Sequence, residues 1–285
     1  MVLRCITHDD PAVEKFKERI KRYTDQIEAF GFGYQVYLND DQVVGLAAIG
    51  KEPMQLFKPV GTPLIRLVAI DYNQPIRILT ELADEVLELA RHHAVDFAYL
   101  DIPAEQKKLA SYFQKIGFEE LGNKYEMKRP LDDSIEVSNL LRYEQIQRRD
   151  VNQFFDYLKE FMSGASDNVL DLVIENFKNV PEFLLDFWYE NEQAYFVYHD
   201  EELIGILDLA PEQSYIQNIG VSPTHRRKGY GTEMLRFCLK LFKEGGGETA
   251  TLDVHVDNKQ AIRFYEKLGF TVAKQTQTLV WWKAA

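Results

Sequence analysis

The segment best suited to binding an anion is glycine-spaced and basic, VSPTHRRKGYG, at residues 221–231. The apolar run before it predicts a strand at residues 215–221, and the apolar spacing after it predicts a helix at residues 229–243. Gly229 and Gly231 let the backbone approach a ligand without an intervening Cβ, and the first amides of a helix have no partners within it. Such a strand-to-helix turn predicts a phosphate site, although a solvated basic turn has the same composition.

A second segment, NKQAIRFYEKLGF at residues 258–270, combines an amide side chain with a tyrosine hydroxyl. Ala261, Phe264, Tyr265 and Leu268 recur at helical spacing and form one apolar face. A hydroxyl at the rim of such a face can transfer a proton, but an ordinary core tyrosine has the same sequence signature. The segment therefore predicts a helix with Tyr265 as a candidate catalytic residue.

In this order and spacing, the two segments resemble the GCN5-related N-acetyltransferases (the GNAT superfamily). The pattern Val-x-Pro-x-x-Arg-x-x-Gly-x-Gly is similar to the family's pyrophosphate loop for acyl-CoA, and Asn-x-x-Ala-x-x-x-Tyr-x-x-x-Gly-Phe is similar to a helix downstream of that loop. The resemblance covers residues 193–283 and implies acetyl-CoA as the acyl donor, without a metal. The residues that it implies for donor binding are Ile219, Gly220, Val221, Arg226, Arg227, Lys228, Gly229, Tyr230, Gly231, Thr232, Asn258, Ala261 and Phe264.

The chain also contains an internal repeat with an offset of 152 residues. Residues 69–118 align without a gap onto residues 221–270, which places Phe113 under Tyr265. The first copy has Arg77 and Leu79 in place of the two glycines, so its turn is not expected to hold pyrophosphate. Because Phe113 fills the helix position without a hydroxyl, packing alone does not explain the hydroxyl of Tyr265.

The repeat predicts two domains of the α/β class, at residues 1–130 and 137–285. Each is expected to be a mixed (α+β) sheet with helices, and the resemblance implies two tandem GNAT-like acyl-CoA N-acyltransferase folds. In the second copy the pattern predicts strands at 139–143, 194–199, 202–209, 215–221 and 248–255, helices at 150–162, 167–178, 229–243 and 257–268, and two closing strands that end at residue 282.

The resemblance implies direct transfer of an acetyl group to a primary amine within a ternary complex. Tyr265 is implied as the general acid that protonates the leaving thiolate. The general base is open, because the strand before the loop offers a tyrosine and two amides but no carboxylate. Asp208 and His255, on the neighbouring predicted strands, are the two candidates for this role, and each also fits an ordinary polar position at the end of a strand.

Acceptor recognition is predicted for residues 163–191, which combine carboxylates with aromatic rings. Such a surface suits an amine with an apolar body, and both a small-molecule and a peptide amine are compatible with it. An amphipathic helix packed on the sheet would carry the same residue types. The residues concerned are Asp167, Asp171, Glu175, Phe183, Phe187, Trp188 and Tyr189.

Composition narrows the classes of function. The 285-residue chain has a net charge of −12 that divides evenly between its halves, which argues against a nucleic-acid partner. Cys5 and Cys238 show no metal-binding spacing, and Cys238 lies on a predicted apolar helix face. Because the sequence has neither a leader nor an apolar run of about 20 residues, we expect a cytoplasmic protein without a membrane partner. A monomer and a homodimer are both compatible with it.

Two other classes of function are compatible with the sequence. A non-catalytic acyl-CoA sensor or interaction module would bind the donor but acylate no acceptor, as the lack of a carboxylate before the loop allows. An aminoacyl- or peptide-transferring tandem GNAT relative is the second alternative. The acidic charge of both halves argues against it, because such proteins often carry a basic patch for a carrier RNA.

Overall fold

The computed structural model describes residues 3–29, 31–162, 172, 175 and 180–284. The chain divides into two compact units. Unit 1 comprises Met1–Asn123 and Thr276–Ala285, and unit 2 comprises Lys124–Gln275. Both units combine helices with a mixed sheet, which confirms the predicted α/β class.

Unit 1 has the sheet order β1-β2-β3-β4-β5-β12, in which only β4 and β5 are parallel. Its described helices are α1 (Lys17–Ala29), α2 (Ile76–His92) and α3 (Lys107–Lys115). The strands are β1 (Arg4–Thr7), β2 (Gly33–Asn39), β3 (Gln42–Lys51), β4 (Pro63–Val68), β5 (Phe97–Pro103) and the second half of β12 (Thr271–Trp282).

Unit 2 repeats this arrangement with the order β7-β8-β9-β10-β11-β6, in which only β10 and β11 are parallel. Its described helices are α4 (Val151–Met162), α5 (Glu182–Asn191), α6 (Tyr230–Glu244) and α7 (Lys259–Lys267). The strands are β7 (Arg142–Gln145), β8 (Gln193–His199), β9 (Glu202–Ala210), β10 (Tyr215–Val221), β11 (Thr249–His255) and most of β6 (Glu119–Pro130).

The closing strand of each unit lies far in sequence from the rest of that unit's sheet. Residues 276–282 of β12 pair antiparallel with β5 in unit 1, and residues 124–130 of β6 pair antiparallel with β11 in unit 2. The prediction of two closing strands before residue 282 is wrong, because β12 runs unbroken from Thr271 to Trp282. This stretch has no glycine, proline or asparagine at which a turn would form.

Other predicted boundaries differ from the observed ones by a few residues. The strand predicted at 139–143 is observed as β7, Arg142–Gln145, and α7 begins at Lys259 rather than at residue 257. Helix α7 starts later because the Asn258 side chain accepts a hydrogen bond from the Ala261 amide and caps it. The helix predicted at 167–178 falls almost wholly outside the described residues.

Helix α6 packs on the sheet through an apolar stripe at helical spacing, which includes Met234, Cys238 and Phe242, all almost fully buried. Burial of such a side chain contributes about 1.5–3 kcal/mol to stability. The stripe therefore fixes the start of α6, Tyr230, against the end of β10. The predicted core position of Cys238 is confirmed.

The two parallel strand pairs differ in the number of residues over which they are paired. In unit 1, β4 and β5 pair from Leu64–Phe97 through Leu67–Leu100. In unit 2, β10 and β11 pair only at Tyr215–Thr251 and Ile216–Leu252. On its other side, β10 shifts its register against β9 between Ile216 and Asn218. Strand β10 therefore separates from β11 soon after it begins, and ligands of α/β proteins bind at such a parting of parallel strands.

Candidate active site

A cavity of about 410 Å³ lies in unit 2 where β10 and β11 separate. It extends from the turn between β10 and α6 to helix α7, and the end of α4 forms part of its wall. The cavity brings together most of the predicted site residues: Ile219, Val221, Arg226, Arg227, Gly229, Gly231, Thr232, His255, Asn258, Ala261, Phe264 and Tyr265. Four other predicted residues, Gly220, Lys228, Tyr230 and Asp208, are not part of its lining.

The turn at 222–229 has the backbone that an anion site requires. Arg227 and Gly229 have left-handed φ angles of 63° and 92°, and α6 begins directly after Gly229. Among the described residues, no side chain caps the start of α6. A Cβ on Gly229 would meet open space, whereas one on Gly231 would lie 3.5 Å from the Phe264 ring. The amides of Tyr230 and Gly231 are therefore available to an anion at the mouth of the cavity, whereas the Thr232 amide donates to the Gly229 carbonyl.

Arg226 anchors the turn to two neighbouring elements. Its Nε donates to the Val221 carbonyl at 3.1 Å, and its Nη2 donates to the Phe161 carbonyl at 2.8 Å. The guanidinium thus joins the end of β10 to the end of α4, so its position on the cavity wall is determined by bonds within the protein. These anchoring contacts were not predicted from the sequence.

A second set of contacts holds the turn against the β8–β9 hairpin. The Thr224 hydroxyl lies 3.1 Å from Nδ1 of His225, and Nε2 of His225 lies 3.3 Å from a Glu202 carboxylate oxygen. The Tyr230 ring packs against the rings of both His225 and His199. This support was not predicted from the sequence, because Glu202 and His199 are twenty or more residues from the turn.

Tyr265 lines the cavity and is 8% exposed. Its ring packs against Phe264 and Phe270, with centroid distances of 5.2 and 5.8 Å. Burial, together with the nearby Cys238 thiol, raises the pKa of Tyr265 above the usual tyrosine value. The hydroxyl therefore stays protonated at neutral pH. In unit 1 the equivalent Phe113 is also buried and packs on Phe118.

The two candidate bases differ in their access to the cavity. His255 is on the cavity wall, where its Nδ1 accepts a hydrogen bond from the Asp257 amide at 3.2 Å. Asp208 is only 3% exposed, and its Oδ2 accepts a hydrogen bond at 2.9 Å from the Asn218 side chain, which does line the cavity. Burial raises the pKa of Asp208 to about 7, although polar groups of Asn218 and Trp188 favour its charged form.

A second carboxylate beside Asp208 was not predicted from the sequence. Glu192 directly precedes β8, and its Oε1 accepts a hydrogen bond at 3.3 Å from Gln217, another cavity residue. Burial and the neighbouring Asp208 carboxylate raise the pKa of Glu192 to about 7. No local motif identifies this residue, because the pair forms only through the register of β8, β9 and β10.

The predicted acceptor segment is only partly within the described residues. Asp167 and Asp171 lie outside them, and Glu175 is exposed. Phe183 and Phe187 are exposed on α5, whereas Trp188 packs against the rings of Phe154 and Phe155. The described helices include none with the length and apolarity needed to cross a membrane.

Comparison with known proteins identifies the family of this site. Residues 155–270 match the Acetyltransferase (GNAT) family, and they include the whole cavity lining. The mycothiol acetyltransferase of Corynebacterium glutamicum (strain R) is 34% identical over 90 residues, which are 30% of this chain and 31% of that protein. N-alpha-acetyltransferase 30 of Xenopus laevis is 33% identical over 63 residues, which are 22% of this chain and 23% of that protein. The chain thus spans less than a third of the length of these two relatives.

Solved structures resemble the chain over nearly its whole length. A GCN5-related N-acetyltransferase from Sphaerobacter thermophilus aligns with a TM-score of 0.64 and 12% identity, over 98% of this chain and 95% of that one. A tandem GNAT protein from the clavulanic acid biosynthesis pathway aligns with a TM-score of 0.60 and 14% identity, over 99% of each chain. These likenesses show the fold of the chain, and the family match assigns residues 155–270 to the Acetyltransferase (GNAT) family.

Proposed function

We propose that the chain is an acetyl-CoA-dependent N-acetyltransferase that transfers an acetyl group to a primary amine by direct attack in a ternary complex. The observation that carries this proposal is the single cavity that joins the anion-type turn before α6 to the buried hydroxyl of Tyr265. The two relatives described above are acetyltransferases, which agrees with this proposal.

Acetyl-CoA would bind along the separated part of β10. The amides at the start of α6, with Arg227, Lys228 and Thr232, would hold the pyrophosphate, since this turn combines left-handed backbone with unpartnered amides. The backbone of residues 219–221 would pair with the pantetheine arm and present an amide to the thioester oxygen. Asn258 would help to hold this arm through its place at the start of α7.

Tyr265 would act as the general acid. Its raised pKa keeps the proton on the hydroxyl until negative charge develops on the departing sulfur, whose own pKa is near 8.5. The surrounding rings exclude water from this end of the cavity, which strengthens the hydrogen bond that the hydroxyl donates.

We assign the general base to His255 in preference to Asp208. An attacking ammonium has a pKa near 10.4 and must lose a proton first, so the base has to face the cavity directly or through water. His255 lines the cavity, whereas Asp208 reaches it only through Asn218. The Asp257 amide donates to Nδ1 of His255, so the neutral ring carries its hydrogen on Nε2, and Nδ1 would exchange this hydrogen bond for the proton that it takes from the ammonium.

In this proposal residues 137–285 form the catalytic domain, and residues 1–130 form a GNAT-like domain that binds no acyl-CoA. The first copy lacks the two glycines, and β4 and β5 remain paired where β10 and β11 separate. The acceptor would be a small-molecule or peptide amine, and we place the enzyme in the cytoplasm, as a monomer or homodimer.

Calorimetric titration with acetyl-CoA, followed by a thiol-release assay with a panel of amines, tests the proposal. We expect one acetyl-CoA bound per chain and amine-dependent release of CoA. Tight binding without thiol release for any amine would instead favour the non-catalytic acyl-CoA-binding module, which the lack of a carboxylate on β10 allows.

A further inference from the structure

The amide side chain of Asn218 lies on the cavity wall, directly beside the buried carboxyl group of Asp208. Asn218 is opposite Asp208 in the register of β9 and β10, and the preceding residue, Gln217, has no partner on β9. Gln217 is therefore the extra residue of a β-bulge, a feature that changes the direction of the neighbouring side chains. The bulge thus brings the Asn218 amide to the Asp208 carboxylate.

Asn218 and His255 project from the same face of the unit 2 sheet. Directly paired residues share a face, and Ile206, two residues before Asp208 on β9, packs in the hydrophobic cluster of α4 and α5. On β11, Val254 packs in the cluster of α6 and α7, so the next residue, His255, projects to the opposite face. Both side chains line the cavity. An acceptor nitrogen that reaches His255 therefore lies on the face of the sheet that carries Asn218.

The Asp208 carboxylate determines which atom of the Asn218 amide remains for a ligand. An ionised carboxylate only accepts hydrogen bonds, and Nδ2 of Asn218 donates to Oδ2 of Asp208 at 2.9 Å. The carboxylate is itself held in place, because the Trp188 side chain on α5 also donates to it. Among the described residues, none donates a hydrogen bond to Oδ1 of Asn218. This oxygen is therefore available to a hydrogen-bond donor in the cavity.

We propose that Oδ1 of Asn218 accepts a hydrogen bond from the attacking nitrogen of the acceptor, and that Asp208 is the positioning residue for this amide. The inference rests on the proposed N-acetyltransferase function, because it assigns a second contact to the amine that His255 deprotonates. After the ammonium gives one proton to His255, a primary amine keeps two N–H groups and a lone pair. One N–H donates to Asn218, which limits rotation of the nitrogen and directs the lone pair to the thioester carbon.

Kinetics of Asn218→Ala, Asp208→Ala and the double variant test the proposal, with n-butylamine, 2-phenylethylamine and trialanine as acceptors. For the amine that the wild-type protein uses best, Asn218→Ala should lower kcat/KM by about tenfold or more, the scale of a hydrogen bond to a charged group. Asp208→Ala should also lower kcat/KM. The double variant should be no slower than Asn218→Ala, because Asp208 acts only through this amide, whereas a merely structural Asp208 would give additive losses.

The assays use saturating acetyl-CoA at about pH 8.5, because burial raises the pKa of Asp208 to about 7 and its carboxylate must be ionised. Acetyl-CoA affinity should be unchanged in all three variants, which shows that unit 2 remains folded. Asn191→Ala is the matched control, since Asn191 is an exposed asparagine of α5 whose amide donates to the Phe187 carbonyl. It should keep the wild-type kinetics.

A binding measurement separates this inference from the proposed reaction. Calorimetry of the same amines with the CoA-loaded protein needs no acetyl transfer, and Asn218→Ala should weaken binding by about tenfold or more. Weakened binding without acetylation of any amine would overturn the reaction and keep the contact with Asn218. Wild-type kcat/KM in Asn218→Ala would overturn this contact alone, and additive losses in the double variant would overturn the positioning role of Asp208. An absence of both amine binding and transfer would overturn the reaction and the inference together.

Discussion

The hydroxyl of Tyr265 is a polar group at an apolar position, because the ring of the same side chain packs in the hydrophobic core of unit 2. We expect Tyr265→Phe to lower kcat by about 100-fold, the usual scale of general acid catalysis. Acetyl-CoA affinity and folding should change little, since Phe113 fills the equivalent position in unit 1 without a hydroxyl. The measurements are steady-state turnover with a saturating amine, calorimetric acetyl-CoA affinity and Tm.

Tyr195→Phe is the control for this substitution. Tyr195 is equally buried in the same core, and its hydroxyl donates to Gln193 rather than facing the cavity. Since burial raises the pKa of Tyr265, the wild-type rate should not fall through deprotonation of this acid below about pH 10. Unchanged kcat in Tyr265→Phe would mean that the thiolate leaves without this proton, and Tyr265 would then be a packing residue.

The carboxyl groups of the buried Asp208 and the half-buried Glu192 predict a pH dependence of stability. The pKa values of Asp208 and Glu192 are near 7 in the folded protein, above the unfolded values near 4, so the folded state retains protons that the unfolded state releases. The favourable contribution is complete below about pH 4 and is lost as the pH rises through about 7. We therefore expect Tm to fall more between about pH 5 and 8 in the wild-type protein than in the Asp208→Asn, Glu192→Gln double variant.

Thermal unfolding of both proteins over this pH range, without any ligand, measures the difference. Glu190→Gln, which removes an exposed charge nearby, should follow the wild-type curve. Parallel curves for the double variant and the wild-type protein would show that the pair is ionised to the same extent when folded and unfolded.

The sequence identifies those site residues that belong to short patterns along the chain. Gly229 and Tyr265 belong to short patterns whose spacing is visible in the sequence. Glu192 was missed because its neighbour Asp208 is sixteen residues away and meets it only through strand register. Arg226 was found, but its bonds to the Val221 and Phe161 carbonyls depend on where α4 ends in space.

Among the elements, the turn from β10 into α6 gives the sharpest test of acyl-CoA binding. Gly229→Val places a Cβ in left-handed backbone, where it faces open space and would block an approaching anion. We expect acetyl-CoA affinity to fall by about 100-fold or more, because the strained turn loses its geometry and the pyrophosphate loses its access. Calorimetry should give a stoichiometry of one for the wild-type protein.

Gly246→Val is the matched control at the other end of α6. Gly246 has a φ of 86°, and its Cβ would also meet open space, so the backbone strain is the same as at Gly229. Both variants should lose similar stability, yet only Gly229→Val should lose acetyl-CoA affinity. Equal affinities in the two variants, or two molecules bound per wild-type chain, would contradict the assignment of the site.

Periodicity predicted most elements of unit 2 within a few residues, including β10 and α6. The register shift of β10 against β9 between Ile216 and Asn218 was not predicted, because Gln217 and Asn218 have side chains that fit a regular strand equally well. The continuity of β12 was missed, although residues 271–282 contain no glycine, proline or asparagine at which a turn would form.

At the scale of the whole molecule, the chain passes between the two units in the middle of β6 and again in the middle of β12. The internal repeat predicts how many similar units the chain builds, but an alignment of the two copies does not specify which copy supplies each closing strand. Pairing in each unit gives that answer: residues 124–130 pair with β11, and residues 276–282 pair with β5. Cutting the chain between the copies therefore does not produce two complete sheets.

The pairing of residues 124–130 with β11 predicts how fragments of the chain will fold. Residues 124–130 supply seven paired positions to β11, and they place the fully buried Met127 in the core of unit 2. Further contacts depend on the same strand: Lys124 binds Asp253 at 2.5 Å, and Arg129 donates to the Leu268 carbonyl at 2.7 Å. We expect a fragment of residues 124–275 to unfold cooperatively and to bind acetyl-CoA.

A fragment of residues 133–285 contains the whole second copy but lacks the strand at 124–130. It should lose cooperative unfolding and acetyl-CoA binding, because β11 loses the strand that pairs along one of its edges. The loss of Met127 alone leaves a core cavity that costs about 2–5 kcal/mol. Adding residues 124–132 back, in a fragment of residues 124–285, should restore both properties. Circular dichroism melting and acetyl-CoA titration of the three fragments compare them directly. Cooperative melting of residues 133–285 at the temperature of residues 124–285 would mean that the strand from the first copy is dispensable to unit 2.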